Sequence, residues 1–435
     1  MFKAGFSRVD ITPPLGSNLA GYFSKRPADG ILDPLYLNAL AINDGKQTNI
    51  IITSDFLSVM EVFATKIRGM VSQRTGVPAD NIMITALHQH TSVRIGCWPW
   101  TGSMEDENYL TILYAKYCDV AQMAIADMEE AEVCTAIGET DEKIAFIRRY
   151  KMKDGSTKTN PGRLNPEIDH PIGNADNNVR LIRFKRKDNK DIAFVNFADH
   201  PDVIGGTKIS ADWPGFVRKY TEQDIPNARC IILNGAQGDI NHVNTGIAEE
   251  QMGHDWCNHM GRVIADTVVK LWDKTEKHED TELYSEIKMV YIPTNTLGMD
   301  NREELLEYQR KYDAGELGDD VDIAKLAAAG RMADLPMMTI CQKVPVTVMG
   351  IGDIALVGFG GEPFTEYAEF SRAAAPELMV ITCGLANGQQ GYLPSVQVFA
   401  EGGYEASNSR FSSEGPTMLQ SAAKELLDKH NKYKK

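Results

Sequence analysis

The stretch TNIIITSDFLSVMEVFATKIRGMVSQRTGVPADNIMITALHQH (48–90) decides the fold. Residues 48–57 form a continuous apolar run closing on Ser54 and Asp55, the pattern of a buried strand. Residues 58–76 read as a helix and 81–87 as a second buried strand. Strand, helix and strand in such quick succession predict a βαβ unit with a parallel pair. The second strand runs into His88-Gln89-His90. If strand geometry continued through this stretch, both imidazoles would face one way. They would then serve as two metal ligands, or as one ligand and one proton carrier.

Outward from this unit, residues 105–131 read as a long helix opened by acidic residues. Residues 150–178 are rich in Pro, Gly, Asn and Asp and read as a long loop. Strands follow at 179–185 and 192–198 around a KRKDNKD turn, then a buried strand at 229–235 and a helix at about 248–274. Residues 344–361 read as a hairpin turning at Gly352-Asp353, with a last strand at 379–388 and a last helix at 416–430. The expected class is α/β: mixed, largely parallel central sheets flanked by helices, with a metal site at the C-terminal ends of strands. Residues 1–435 read as one domain, with a charged, helical, peripheral insertion around 300–335.

Composition narrows the function. The chain has 435 residues, 43% of them hydrophobic, and a net charge of −15 without a dense basic cluster, which argues against a nucleic-acid partner. No apolar run approaches the roughly 18 residues of a membrane span. The opening MFKAGFSRVDITPP lacks the apolar core of a signal peptide. Seven cysteines without a C-x-x-C pair fit reduced thiols, so a cytoplasmic protein acting on a small molecule is expected.

Several strands end in reactive side chains: His88-x-His90, Asp199-His200-Pro201, the Asn234–Asn241 turn, and Gly361-Glu362-Pro363. Two histidines and a carboxylate, each from a separate strand end, make a common catalytic zinc set with one position left for water. His254 and His259 have the wrong offset for one helix face, His170, His278 and His430 read as solvated, and His242 is a minor candidate. No G-x-S-x-G elbow is present, GSTKT (155–159) is not a P-loop, and Gly350-x-Gly352-x-x-Ala355 leads into a strand rather than a helix.

Taken in order, VDITPPLG (9–16), AGYF (20–23), DPLYLNALAI (33–42), the H-x-H segment, RRY (148–150), DHPDVIGGTKISADWPG (199–215), LNGAQGDIN (233–241), GGEPFTEY (360–367) and GYLPSVQVFAEGGYEA (391–406) resemble the catalytic domain of the neutral/alkaline, non-lysosomal ceramidases. Those enzymes are zinc amidases that cut the N-acyl bond of ceramide. The resemblance implies one zinc ion held by His88, His200, Glu362 and Tyr392, with His90 as acid/base. It implies that Arg148 and Tyr404 contact substrate or oxyanion and that Asp212 and Gln237 support the ligands; Gly21, Tyr22, Asn241 and Trp98, which sits just after the H-x-H segment, are expected to line the substrate site. The ceramidases carry a serine where this chain has Asn241, and a C-terminal immunoglobulin-like domain that is not expected here. A smaller, more polar amide is therefore expected as substrate. An ester or lactone of a carbohydrate acid is the alternative, and a zinc-stabilised binding protein without turnover the third reading.

Overall fold

The computed structural model describes residues 1–96, 107–318 and 321–433. Two sheets stack face to face and helices cover both outer surfaces. The larger sheet is built from β1 (Lys3–Asp10), β2 (Tyr36–Asn43), β3 (Thr48–Ser54), β4 (Ile82–Ala86), β5 (Glu129–Glu139), β6 (Asn178–Arg186), β7 (Asp191–Phe197) and β8 (Ala228–Asn234). Its order is β8-β7-β6-β5-β1-β2-β3-β4. The smaller sheet runs β9 (Leu283–Pro293), β10 (Cys341–Ile351), β11 (Ile354–Phe359) and β12 (Met379–Cys383). Helices α1 (Glu61–Thr75), α2 (Glu107–Ala126), α3 (Asp212–Asp224) and α4 (Gly253–Trp272) back the larger sheet. Helices α5 (Arg302–Asp313) and α6 (Ile323–Asp334) form the insertion; α7 (Thr365–Ala374), α8 (Val396–Glu401), α9 (Tyr404–Asn408) and α10 (Gly415–Tyr433) follow, with α7 and α10 backing the smaller sheet.

The mixed α/β class stands, but the expectation of largely parallel sheets is corrected. Only β3–β4, β7–β8 and β11–β12 pair in parallel among these strands; their other pairings are antiparallel. The continuous apolar runs misled because they report burial on both faces, not direction. Along β3, Ile50 and Ile52 pack under the helices while Ile51 faces the second sheet; in β4, Ile82 and Ile84 oppose Met83 in the same way. A strand between a helical layer and another sheet needs apolar residues at every position, whichever way its neighbour runs.

Three further expectations shift. The helix begun at residue 107 stops at Ala126, and Glu129–Glu139 is β5. Its outward glutamates (Glu130, Glu132) disguised a period of two whose inward members are Ala131 and Val133. The 150–178 loop contains a small sheet of Arg149–Met152, Thr157–Thr159 and Ile168–Pro171. His430 is buried rather than solvated, its ring against Gly350 and Tyr284. Among the described residues no helix is long and apolar enough to cross a membrane.

This architecture gathers the strand ends. The larger sheet curls until its two edges meet: the Asn234 side chain, at the end of β8, donates to Leu87 O (3.0 Å) beyond β4 and to Asp199 O (2.9 Å) beyond β7. The parallel pairs therefore release His88, His200 and Glu362 on one side of the molecule.

Candidate metal centre

β4 ends at Ala86, so regular strand geometry does not extend through the H-x-H segment. His88 takes a left-handed conformation (φ 80°), rare for a side-chain-bearing residue and tolerated where the surroundings dictate it. Backbone bonds from His88 N to Phe56 O (2.9 Å) and from His90 N to Pro201 O (3.0 Å) pin the segment. Gln89 reaches away to Asp55 (3.2 Å), which Arg218 grips in a buried two-pronged ion pair. The two imidazoles are left facing a common space, with ring centroids 5.1 Å apart.

His88, His90 and His200 each offer a ring nitrogen, and the three atoms lie within 4.8 Å of one another. The His88 Nδ1–H donates to Leu57 O (2.8 Å) and the His200 Nδ1–H to Gln237 O (3.2 Å). This leaves Nε2 of each as an acceptor aimed inward, the tautomer a metal ligand needs. Glu362 Oε2 lies 3.2 Å from His88 Nε2, while its Oε1 accepts from the Gln389 amide (2.8 Å). Two ligand atoms on one tetrahedral zinc stand roughly 3.3 Å apart, so this spacing suits a shared ion. His200 Nε2 and Glu362 Oε2 are buried without a hydrogen bond, as are both ring nitrogens of His90. Such a concentration of orphaned buried polar atoms is costly unless an ion or water completes it. The residues present therefore fit a metal.

Electrostatics agree. Burial, then repulsion from His88, pushes His90 well below the usual imidazole range; burial, then Arg148, does the same to His200. Burial alone would raise the Glu362 carboxyl, but His88 and Gln389 outweigh it and hold the carboxyl down at about 2. Near pH 7 the pocket thus offers His90 and His200 as neutral imidazoles beside the Glu362 carboxylate.

Tyr392 and Tyr404 line the same cleft with Gly21 and Tyr22, their rings 5.5 Å apart. Burial raises the Tyr392 phenol well above its ordinary value and Tyr404 to about 12, with Arg148 opposing both shifts. Arg148 stands behind Tyr392 rather than on the cleft wall, its guanidinium 5.0 Å from that ring. It donates to Glu405 Oε1 (3.0 Å) and Gly238 O (2.9 Å). Gly21 is needed for space, since an added Cβ would lie 2.6 Å from His90 Nδ1 at φ +104°. Asn241 does not line the cleft; its amide is engaged with Asn160 (2.7 Å) and Val243 N (3.0 Å). Trp98 lies outside the described residues. Gln237 acts through its carbonyl, and buried Asp212 accepts Val203 N (3.2 Å) and Ile204 N (2.9 Å), steadying the loop that follows His200.

Sequence reasoning missed Asp202, Gln389, Glu405, Arg94 and Arg410. Asp202 Oδ1 lies 3.4 Å from His90 Nδ1 and accepts the Tyr22 hydroxyl. Its position two residues beyond His200, within DHPD, was the available signal. A larger cavity of about 310 Å³, lined by Arg8, Tyr36, Phe216 and Arg218, lies elsewhere. Its two arginines are already paired, as Arg8–Glu222 and Arg218–Asp55, and none of the clustered histidines borders it, so the chemistry belongs to the histidine cleft.

No protein-family model matches the chain, and no curated protein matches it either. Solved structures do. A neutral ceramidase from Pseudomonas aeruginosa superposes with a TM-score of 0.75 at 16% identity, covering 99% of this chain and 75% of that one. A structure described as ceramidase complexed with C2 superposes at 0.77 with 15% identity and the same coverage. The curled mixed sheet, the second sheet stacked on it and the histidine cluster at their strand ends thus belong to a chain with the fold of the neutral ceramidases.

Proposed function

We propose that this chain is a zinc-dependent hydrolase that cleaves an N-acyl amide bond, with His88, His200, Glu362 and Tyr392 holding one zinc ion. The observation that carries the reading is the convergence of three buried histidines on one cleft, with Nδ1 of both His88 and His200 tied to backbone carbonyls. The ceramidase fold supports amide chemistry. When bound, the ion supplies a Lewis acid and a water of lowered pKa. His90, neutral and free of competing hydrogen bonds, takes the water's proton and passes it to the leaving nitrogen. Asp202 faces the His90 ring and steadies the imidazolium that forms. The Tyr404 hydroxyl, on the cleft wall, donates to the developing oxyanion. Arg148 acts as a positioning residue, orienting Tyr392 from behind.

The test is hydrolysis by zinc-loaded protein of matched N-acyl amides, esters and lactones. Amide cleavage that disappears on chelation is expected. Cleavage of lactones alone would move the assignment to the ester class, and tight zinc binding with no turnover would leave a binding protein. Gly21→Ala checks the His90 role independently. The added methyl displaces the ring, so kcat falls by roughly a hundredfold while zinc content stays unchanged, as kinetics and metal analysis of the same sample will show.

A further inference from the structure

We infer that Tyr22 is a positioning residue for proton transfer: its hydroxyl holds the Asp202 carboxylate against Nδ1 of His90, so that Nδ1 carries the hydrogen and Nε2 is the nitrogen left to act. The inference deepens the hydrolase reading and rests on it for the reaction, not for the arrangement of the three side chains. The Tyr22 hydroxyl donates to Asp202 Oδ1, and the same oxygen lies 3.4 Å from His90 Nδ1. The Tyr22 and His90 rings stand edge to face, with centroids 5.4 Å apart and planes at 82°. Among the described residues, the bond from Tyr22 is the one hydrogen bond that the Asp202 carboxylate accepts. That side chain is 29% exposed, so without the tether the carboxylate turns toward water and away from the imidazole. Burial, then the Asp202 charge, raises the Tyr22 phenol far above its ordinary value, so the hydroxyl keeps its proton and stays a donor.

Tyr22 is itself held in place. The Arg26 guanidinium lies 4.0 Å from the centre of its ring. Arg26 also donates to the carbonyls of Ala20 (2.7 Å), His90 (2.6 Å) and Gly206 (2.9 Å). Those carbonyls belong to the turn that carries Tyr22, to the H-x-H segment and to the loop that follows His200. One side chain therefore ties together the three segments that deliver Tyr22, His90 and Asp202. Ala20 N donates to Ser92 O (2.9 Å), a backbone tie between the first two. A carboxylate facing one ring nitrogen selects the tautomer that carries hydrogen there, and the other nitrogen is left as the acceptor. Tyr22 was expected to line the substrate site, and its ring does border the cleft. Its hydroxyl, however, is committed to Asp202, so its part in the reaction is exercised through His90.

The experiment compares zinc-loaded wild type with Tyr22→Phe, which keeps the ring and its contact with Arg26. Nitrogen-15 spectra of the histidine rings, with His90 assigned by its absence in His90→Ala, read the tautomer. Kinetics on the best substrate of the amide, ester and lactone panel read the consequence. The His90 ring should carry its hydrogen on Nδ1 in wild type and divide between the two tautomers in Tyr22→Phe. In that variant kcat should fall roughly ten- to a hundredfold, as for loss of a hydrogen bond to a charged group, with KM and zinc content unchanged. Adding Tyr22→Phe to His90→Ala should lower kcat no further. A wild-type ring protonated at Nε2, the same tautomer in wild type and Tyr22→Phe, or a raised KM at unchanged kcat overturns the inference and leaves the hydrolase standing. If no panel member is cleaved, the hydrolase reading fails and the spectra decide alone: a changed tautomer in Tyr22→Phe upholds the positioning of His90 by Tyr22, and an unchanged one removes it.

Discussion

His88→Ala should empty the metal site and abolish hydrolysis, whereas His90→Ala should keep the ion and lose roughly 10²- to 10⁴-fold in kcat. The two residues are separated only by Gln89, yet their surroundings differ. Nδ1 of His88 is committed to Leu57 O at 2.8 Å, which fixes its ring and leaves Nε2 3.2 Å from Glu362 Oε2. Removing that ring deletes one ligand and loosens the carboxylate beside it. His90 has no hydrogen bond at either ring nitrogen, and its nearest acid is Asp202 at 3.4 Å. A ring free to gain and lose a proton suits transfer better than ligation. Competition with a chromophoric chelator, read beside turnover, separates the cases. Equal losses of zinc affinity in the two variants would make His90 a ligand and remove the assigned base.

The second large effect is on stability. Arg148→Met should destabilise the metal-free chain by about 3 kcal/mol, the low end for breaking a buried pair. Glu405 is fully buried and bonded to Arg148 at 3.0 Å. It keeps partial support from Thr159 at 2.8 Å and Arg149 at 3.7 Å, which places the cost at that low end rather than higher. Replacing both partners, Arg148→Met with Glu405→Leu, should recover much of the loss, because no charge is then left buried alone. Urea denaturation of wild type, Arg148→Met and the double variant checks this. A single variant as stable as wild type would show that the pair is not load-sharing in the folded state.

How much of this was legible follows from where each residue sits. β3, α1 and β4 could be read because apolar runs and helical spacing repeat within one stretch, and His88, His200 and Glu362 because polar side chains closing buried strands stand out locally. Strand direction could not be read, since Ile51 and Met83 are apolar for reasons of layering. β5 was hidden by its solvent-facing glutamates. Arg94, Asp334 and Arg410 carry no shared local pattern. Arg94 and Arg410 share the cleft only through the tertiary fold, and Asp334 joins Arg410 because α6 packs beside α9. The curl of the larger sheet, which joins the ends of β4, β7 and β8 through Asn234, is likewise a product of tertiary closure.

The most direct test of the metal centre is elemental analysis of the purified wild-type chain after dialysis against zinc and removal of unbound ion. About one zinc per chain is expected, as a single four-coordinate site requires. A folded chain that retains no transition metal under those conditions would contradict the assignment of His88, His200 and Glu362 as ligands.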